Sequence, residues 1–248
     1  MGIMGLESFK NKFKGYEDCY TIIGGTACDI LMQRASLDFR ATKDIDMIIL
    51  FEDRFQDFAH AFWEYIKEGG YRCGWKNSDD VHFYRFTDPK PGYPVQIELF
   101  SRKPDYHLET LNQIIPVYID DDTSSLSAIL LNDDFYNFML NGRVSVDGVS
   151  VLEAEYIRPF KMYAWNNLKE RKENGEHVNE RDLRKHKYDV FRLLRLVPEG
   201  QKIYTDGDVK SAIESFIKAM GEEELALDSI GLEFSKEDAI DMLRNIYG

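Results

Sequence analysis

A chain of 248 residues is long enough for one large domain or two smaller ones around a buried core. Apolar residues make up 44% and charged residues 30%, a globular rather than a disordered composition. With 31 Lys and Arg against 44 Asp and Glu, the net charge of −13 excludes broad coating of a polyphosphate but leaves room for a local basic site.

Residues 19–23 read as a buried strand that ends in Gly24-Gly25. Residues 26–35 read as a helix with Ala27, Ile30, Leu31 and Ala35 on its inner side. A second strand follows at 45–50, then a helix at 54–68 carried by Phe55, Phe58, Phe62 and Ile66. Two more strands are expected at 81–86 and 95–100, which makes an α+β pattern with a mixed sheet backed by helices. Residues 115–120 and 126–131 have strand character as well. Residues 143–152 predict a hairpin, because Asp147-Gly148 supplies the positive φ angles of a tight turn between two Val-Ser-Val runs. Beyond it the pattern becomes helical, at 153–172, 180–196, 207–220 and 235–246. The expected division is an α+β domain over 1–152 and a helical domain over 153–248.

Cys19, Cys28 and Cys73 are odd in number and lack metal-ligand spacing, which predicts a reducing cytoplasm rather than a disulfide scaffold. No run approaches the ~20 apolar residues of a membrane span. The start, MGIMGLESFK, has no basic segment followed by a long apolar one, so secretion is not indicated.

Three pieces of the first hundred residues carry chemistry when taken together. In Ile22-Ile23-Gly24-Gly25-Thr26-Ala27 a strand runs into a helix through two glycines. Backbone without a Cβ lets a ligand approach closely, and the amides at a helix start can hold phosphate oxygens. In Asp44-Ile45-Asp46-Met47-Ile48, strand alternation puts Asp44 and Asp46 on one face, with Ile45, Met47 and Ile49 toward the core. In Val95-Gln96-Ile97-Glu98-Leu99, Val95, Ile97 and Leu99 form the buried face and Glu98 stands opposite. Carboxylates so arranged make a site for hard divalent cations such as Mg²⁺, and three of them make a two-metal site. Each piece alone has a plain reading: a turn, a solvated edge, a solvated glutamate.

Gly24-Gly25, Asp44-x-Asp46 and Glu98 together resemble the nucleotidyltransferases of the DNA polymerase β superfamily. The string GGTACDILMQRASLDFRATKDIDMII is similar to the AbiEii-like abortive-infection toxins, in which Gly-Gly-x-Ala is followed by Arg-x-Thr-x-Asp-φ-Asp, φ being apolar. Arg40, Thr42, Asp44 and Asp46 match that spacing. It also resembles the aminoglycoside nucleotidyltransferases, which share Gly-Gly-x-Ala and Asp-φ-Asp. Glu98 stands where many members carry Asp.

The helical half adds to this. Lys161 lies within the apolar stripe of Ile157, Ala164 and Leu168, and Lys187 interrupts that of Leu183, Val190 and Leu194. A lysine on a core side is costly unless it meets an anion or reaches water at the stripe edge. Lys187-Tyr188-Asp189 resembles a Lys-x-Asp motif of the toxin family; Asp189 either orients Lys187 or an arginine or is an ordinary surface residue. Residues 161–192 hold nine Lys or Arg and six Asp or Glu, a basic island of +3 that is otherwise a pair of solvated helices. Residues 211–248 are acidic.

The resemblance implies a nucleotidyltransferase-fold domain, a helical domain and a cleft between them. It implies transfer of a nucleoside monophosphate from an NTP to a hydroxyl acceptor. Asp44, Asp46 and Glu98 would hold two Mg²⁺ ions, and Glu98 would help activate the hydroxyl. Gly24, Gly25 and Thr26 would cradle phosphates, and Arg40, Lys161 and Lys187 would neutralise the triphosphate. The acceptor would be RNA, such as a tRNA end, in a toxin with an antitoxin partner, or else a small molecule of the aminoglycoside type. The third possibility is a nucleotide- or partner-binding domain without turnover. Asp120-Asp121-Asp122 is read as a polar turn, and His60, His82, His107, His177 and His186 form no metal spacing.

Overall fold

The computed structural model describes residues 3–50, 54–73, 85–101, 133–198 and 200–248. The strands expected at 115–120 and 126–131, the Asp120–Asp122 turn, His82, His107 and residues 81–84 lie outside the described residues. The architecture is mixed α+β with a helical C-terminal stretch. Backbone proximity divides the chain into two compact units. The first holds the described residues within Met1–Ile30, Arg40–Thr123 and Arg143–Leu152. The second holds those within Leu31–Phe39, Ser124–Gly142 and Glu153–Gly248.

The first unit is built on a sheet of seven described strands. These are β1 (Tyr20–Ile23), β2 (Asp44–Ile49), β3 (Arg72–Cys73), β4 (Arg85–Thr87), β5 (Gln96–Ser101), β6 (Arg143–Val146) and β7 (Val149–Leu152), in the order β3-β4-β5-β2-β1-β7-β6. The β2/β5 and β1/β7 pairs are parallel and the others antiparallel. Register partners share a face of the pleat. One face therefore carries Tyr20, Ile22, Met47, Ile97, Phe86 and Val151, all buried. Its cover is aromatic. Phe9 and Phe13, in and just after α1 (Leu6–Lys12), lie 4.5 Å apart and meet Tyr20, Phe58, Phe62 and Tyr65 at ring-centroid distances of 5.2–6.3 Å, the last three from α3 (Phe55–Gly69). Such a cluster supplies large buried area with edge-to-face contacts.

The opposite face is polar where it matters. It carries Asp44, Asp46, Gln96, Glu98, Arg85 and, across β1, β7 and β6, Thr21, Ser150 and Arg143. Arg143 Nε donates to Thr21 Oγ1 at 2.8 Å, and the Thr21 and Ser150 hydroxyls share a hydrogen bond at 3.1 Å. The predicted hairpin is present, with Asp147 at φ 50° and Gly148 at φ 80°.

The second unit is helical. It contains α4 (Asp133–Leu140), α5 (Ala154–Glu173), α6 (Glu180–Arg192), α7 (Gly207–Glu222) and α8 (Lys236–Tyr247). Its core joins Phe135 to Phe160 and Trp165 to Phe216, with centroids 5.1 and 5.4 Å apart. The helix expected over 180–196 ends at Arg192 and closes in a tighter 3-10 turn, Leu193–Leu196. Asn179 caps α6 by accepting from the Arg181 amide at 3.0 Å. Among the described residues no helix is long and apolar enough to cross a membrane.

Candidate functional site

The glycine bend comes first. β1 passes directly into α2 (Gly24–Arg34), two residues earlier than the sequence pattern suggests. Gly24 takes φ +68°, a left-handed conformation that glycine adopts at little cost. It is also packed: a Cβ there would stand 2.2 Å from Asp46 Oδ2. At Gly25 a Cβ would stand 2.8 Å from Thr42 Oγ1 and 3.3 Å from Arg40 Nη2. Both glycines are buried beneath these side chains. Thr26 is buried, and its hydroxyl donates to the Asp44 carbonyl at 2.6 Å, tying the first turn of α2 to the start of β2. The Gly24-Gly25-Thr26 bend, Arg40, Thr42, Asp44 and Asp46 thus form one cluster in the first unit.

On β2, Asp44 and Asp46 are half-buried while Ile45, Met47 and Ile49 are buried, the alternation that the sequence predicts. Asp46 is the register partner of Ile23 on β1 and of Glu98 on β5, and Asp44 is the partner of Gln96. Adjacent strands lie about 4.8 Å apart and residues i and i+2 about 6.6 Å apart, so the backbone sets Asp44, Asp46 and Glu98 on one face within side-chain reach.

The side chains are not gathered into one ligand set. Among the described residues no three His, Cys, Asp or Glu side chains form a group that could hold a metal ion. Glu98 is turned elsewhere: it forms an ion pair with Arg85, its register partner on β4, and accepts from Gln96 Nε2 at 2.9 Å. Glu98 is buried, whereas Val95, expected on the buried face, precedes β5 and is exposed. The paired carboxylate is covered because its charge is compensated on the spot. Arg85 was not singled out in the sequence. It lies on a three-residue strand, and only the β4/β5 register brings it to Glu98.

In the second unit, Lys161 is buried and its Nζ lies 3.2 Å from Asp189 Oδ2. Asp189 also receives Arg192 Nη1 at 3.1 Å. Asp189 is therefore a fully buried counter-ion and not a surface residue, because two cations offset its desolvation. Lys187 donates to Glu223 Oε2 at 3.0 Å and to the Glu224 carbonyl at 3.3 Å. Lys169 takes the other oxygen of Glu223 at 2.8 Å. The Lys169 hydrogen bond, aided by Lys187, holds the Glu223 carboxyl below its ordinary range. The acidic C-terminal segment thus engages part of the basic island directly.

No protein-family profile matches this sequence, and no curated protein compared with it matches either.

Proposed function

We propose that this chain is a metal-dependent nucleotidyltransferase of the polymerase β kind that moves a nucleoside monophosphate from an NTP to a hydroxyl of RNA. The observation that carries the reading is the packing of the Gly24-Gly25 bend against Asp46, Thr42 and Arg40, beside a strand whose Asp44 and Asp46 share one face. A glycine bend at a helix start suits phosphate oxygens, and half-buried carboxylate oxygens suit a hard divalent cation. The two preferences are complementary, since a cation held by the carboxylates would offset the charge of the phosphates.

In this reading Asp44 and Asp46 would hold Mg²⁺, and Glu98 would join them only on leaving its partner Arg85. The ion would supply charge neutralisation at the triphosphate and make the acceptor hydroxyl easier to ionise. The acceptor oxygen bonds to the α-phosphorus, its proton passes to a carboxylate, and the bond from that phosphorus to the β-bridging oxygen breaks. Pyrophosphate leaves. Gly24 and Gly25 would orient the phosphates once the side chains that cover the bend move aside, with Arg40 beside them, so the work is mainly positioning and charge stabilisation. The Thr26 hydroxyl serves Asp44 rather than the phosphates. Lys161 and Lys187 already have carboxylate partners, and their contribution to charge at the triphosphate depends on exchanging them.

The test is incubation with each α-labelled NTP, Mg²⁺ and either total tRNA or an aminoglycoside panel. Label on RNA that disappears in D44N and D46N supports the reading. Label on an aminoglycoside alone reassigns the acceptor, and label on neither leaves a binding domain without turnover.

A further inference from the structure

The basic island of the second unit is sorted by the fold into spent and unspent charge. Of its nine cations, six have a carboxylate partner. Lys161 and Arg192 hold Asp189, Lys169 and Lys187 hold Glu223, Arg171 holds Glu176 at 2.5 Å, and Lys172 holds Glu180 at 2.6 Å. Arg181, Arg184 and Lys185 have none among the described residues. These three are not scattered. They occupy positions i, i+3 and i+4 of α6, which is one face of a helix. Arg181 and Arg184 are exposed and Lys185 is half-exposed. The Arg184 guanidinium lies over the Tyr188 ring, 5.5 Å from its centroid, which orients it without neutralising it.

In a chain of net charge −13, an exposed helix face whose three cations have no carboxylate in ion-pair contact among the described residues departs from the overall composition. We propose that the Arg181–Arg184–Lys185 face of α6 docks the phosphodiester backbone of an RNA. Charge complementarity selects a polyanion. Cβ atoms one helical turn apart stand about 5–6 Å apart, so the three long side chains can reach neighbouring phosphates of one strand. An arginine steadied over the Tyr188 ring suits forked contact with phosphate oxygens. The choice of RNA among polyanions rests on the hydroxyl acceptor of the proposed reaction. The contacts themselves are to backbone and predict little sequence preference.

The experiment measures binding of the intact protein to a fluorescein-labelled single-stranded RNA by anisotropy, without NTP or Mg²⁺, across a salt series. The variants are R181Q/R184Q/K185Q and a charge-matched control, K14Q/K210Q/K218Q, with circular dichroism to show that each is folded. The wild type is expected to bind with a steep salt dependence. The α6 variant should lose at least tenfold in affinity and flatten the log–log salt slope by about two, from roughly 0.7 per phosphate contact. The control should match the wild type. Equal losses in both variants, or an unchanged slope in the α6 variant, overturn the proposal. So does wild-type binding of polyglutamate as tight as that of RNA, which would mark an acidic protein as the partner. If the α6 variant misfolds, R181Q/R184Q is used, for which the slope change should be about 1.4. Because this assay contains neither NTP nor Mg²⁺, its failure is distinguishable from failure of the catalytic reading, which label transfer tests separately.

Discussion

Gly24 and Asp46 are fitted to one another: the glycine backbone sits at φ +68°, and the Asp46 carboxylate occupies the space that a Cβ would need, 2.2 Å away. A substitution at Gly24 therefore has two effects, one on the backbone and one on the acid. G24A should cost about 1–2 kcal/mol for the left-handed conformation. It should also swing the Asp46 carboxylate away, because a short side chain yields more easily than a strand. The expected outcome is a lower urea midpoint in a protein that still folds, together with loss of any stabilisation by Mg²⁺-NTP. A G24A protein that keeps that stabilisation would separate the bend from the acid.

The buried Lys161–Asp189 pair predicts an asymmetry. D189A strands Lys161 in a dry core and should cost about 3–5 kcal/mol. K161M should cost less, because Asp189 keeps Arg192 at 3.1 Å. Denaturant melts of the two variants check this, and equal costs would mean that Arg192 does not compensate.

Pro159 lies inside α5 and has no N–H to offer the carbonyl of Glu155 one turn earlier. Tyr247 fills the place: its hydroxyl donates to the Glu155 carbonyl at 2.6 Å and accepts from Arg158 Nε at 2.9 Å. Y247F should therefore destabilise by about 1–3 kcal/mol by leaving buried polar groups unpaired. P159A restores an amide donor to Glu155 and should recover part of the loss. A double-mutant cycle with no coupling would contradict the pairing.

Burial raises the pKa of the Tyr20, Tyr65 and Tyr247 hydroxyls above their ordinary value. A phenol whose folded pKa is raised resists ionisation in the folded state. Its contribution is fully present below the unfolded value of about 10 and is lost as the pH rises above it. Urea midpoints should be flat from about pH 8 to pH 9.5 and fall beyond about pH 10. Y247F should make the fall shallower.

Much of this architecture is legible in the residues. The alternation of Asp44, Ile45, Asp46 and Met47 fixes the face of each, because a strand has period two. The Asp147-Gly148 turn and the helices from residue 153 onward follow from turn chemistry and helical spacing. Two short helices, Leu6–Lys12 and Asp133–Leu140, escape a periodicity reading because each offers only two or three buried residues. At the site, the glycines and the β2 acids are legible as local motifs. The engagement of Glu98 by Arg85 is not, because it depends on strand register across a turn rich in proline. The depth of Asp189 is likewise hidden, since a lone helical aspartate reads as solvated until its counter-ions on α5 and α6 are known.

The most direct measurement is the melting temperature of the wild type and of D44A/D46A with NTP and Mg²⁺, against NTP with EDTA. The account predicts that Mg²⁺-NTP raises the melting temperature of the wild type, that EDTA removes the rise, and that the double variant shows none. Equal rises in the two proteins would contradict the assignment of Asp44 and Asp46 as the metal-binding pair.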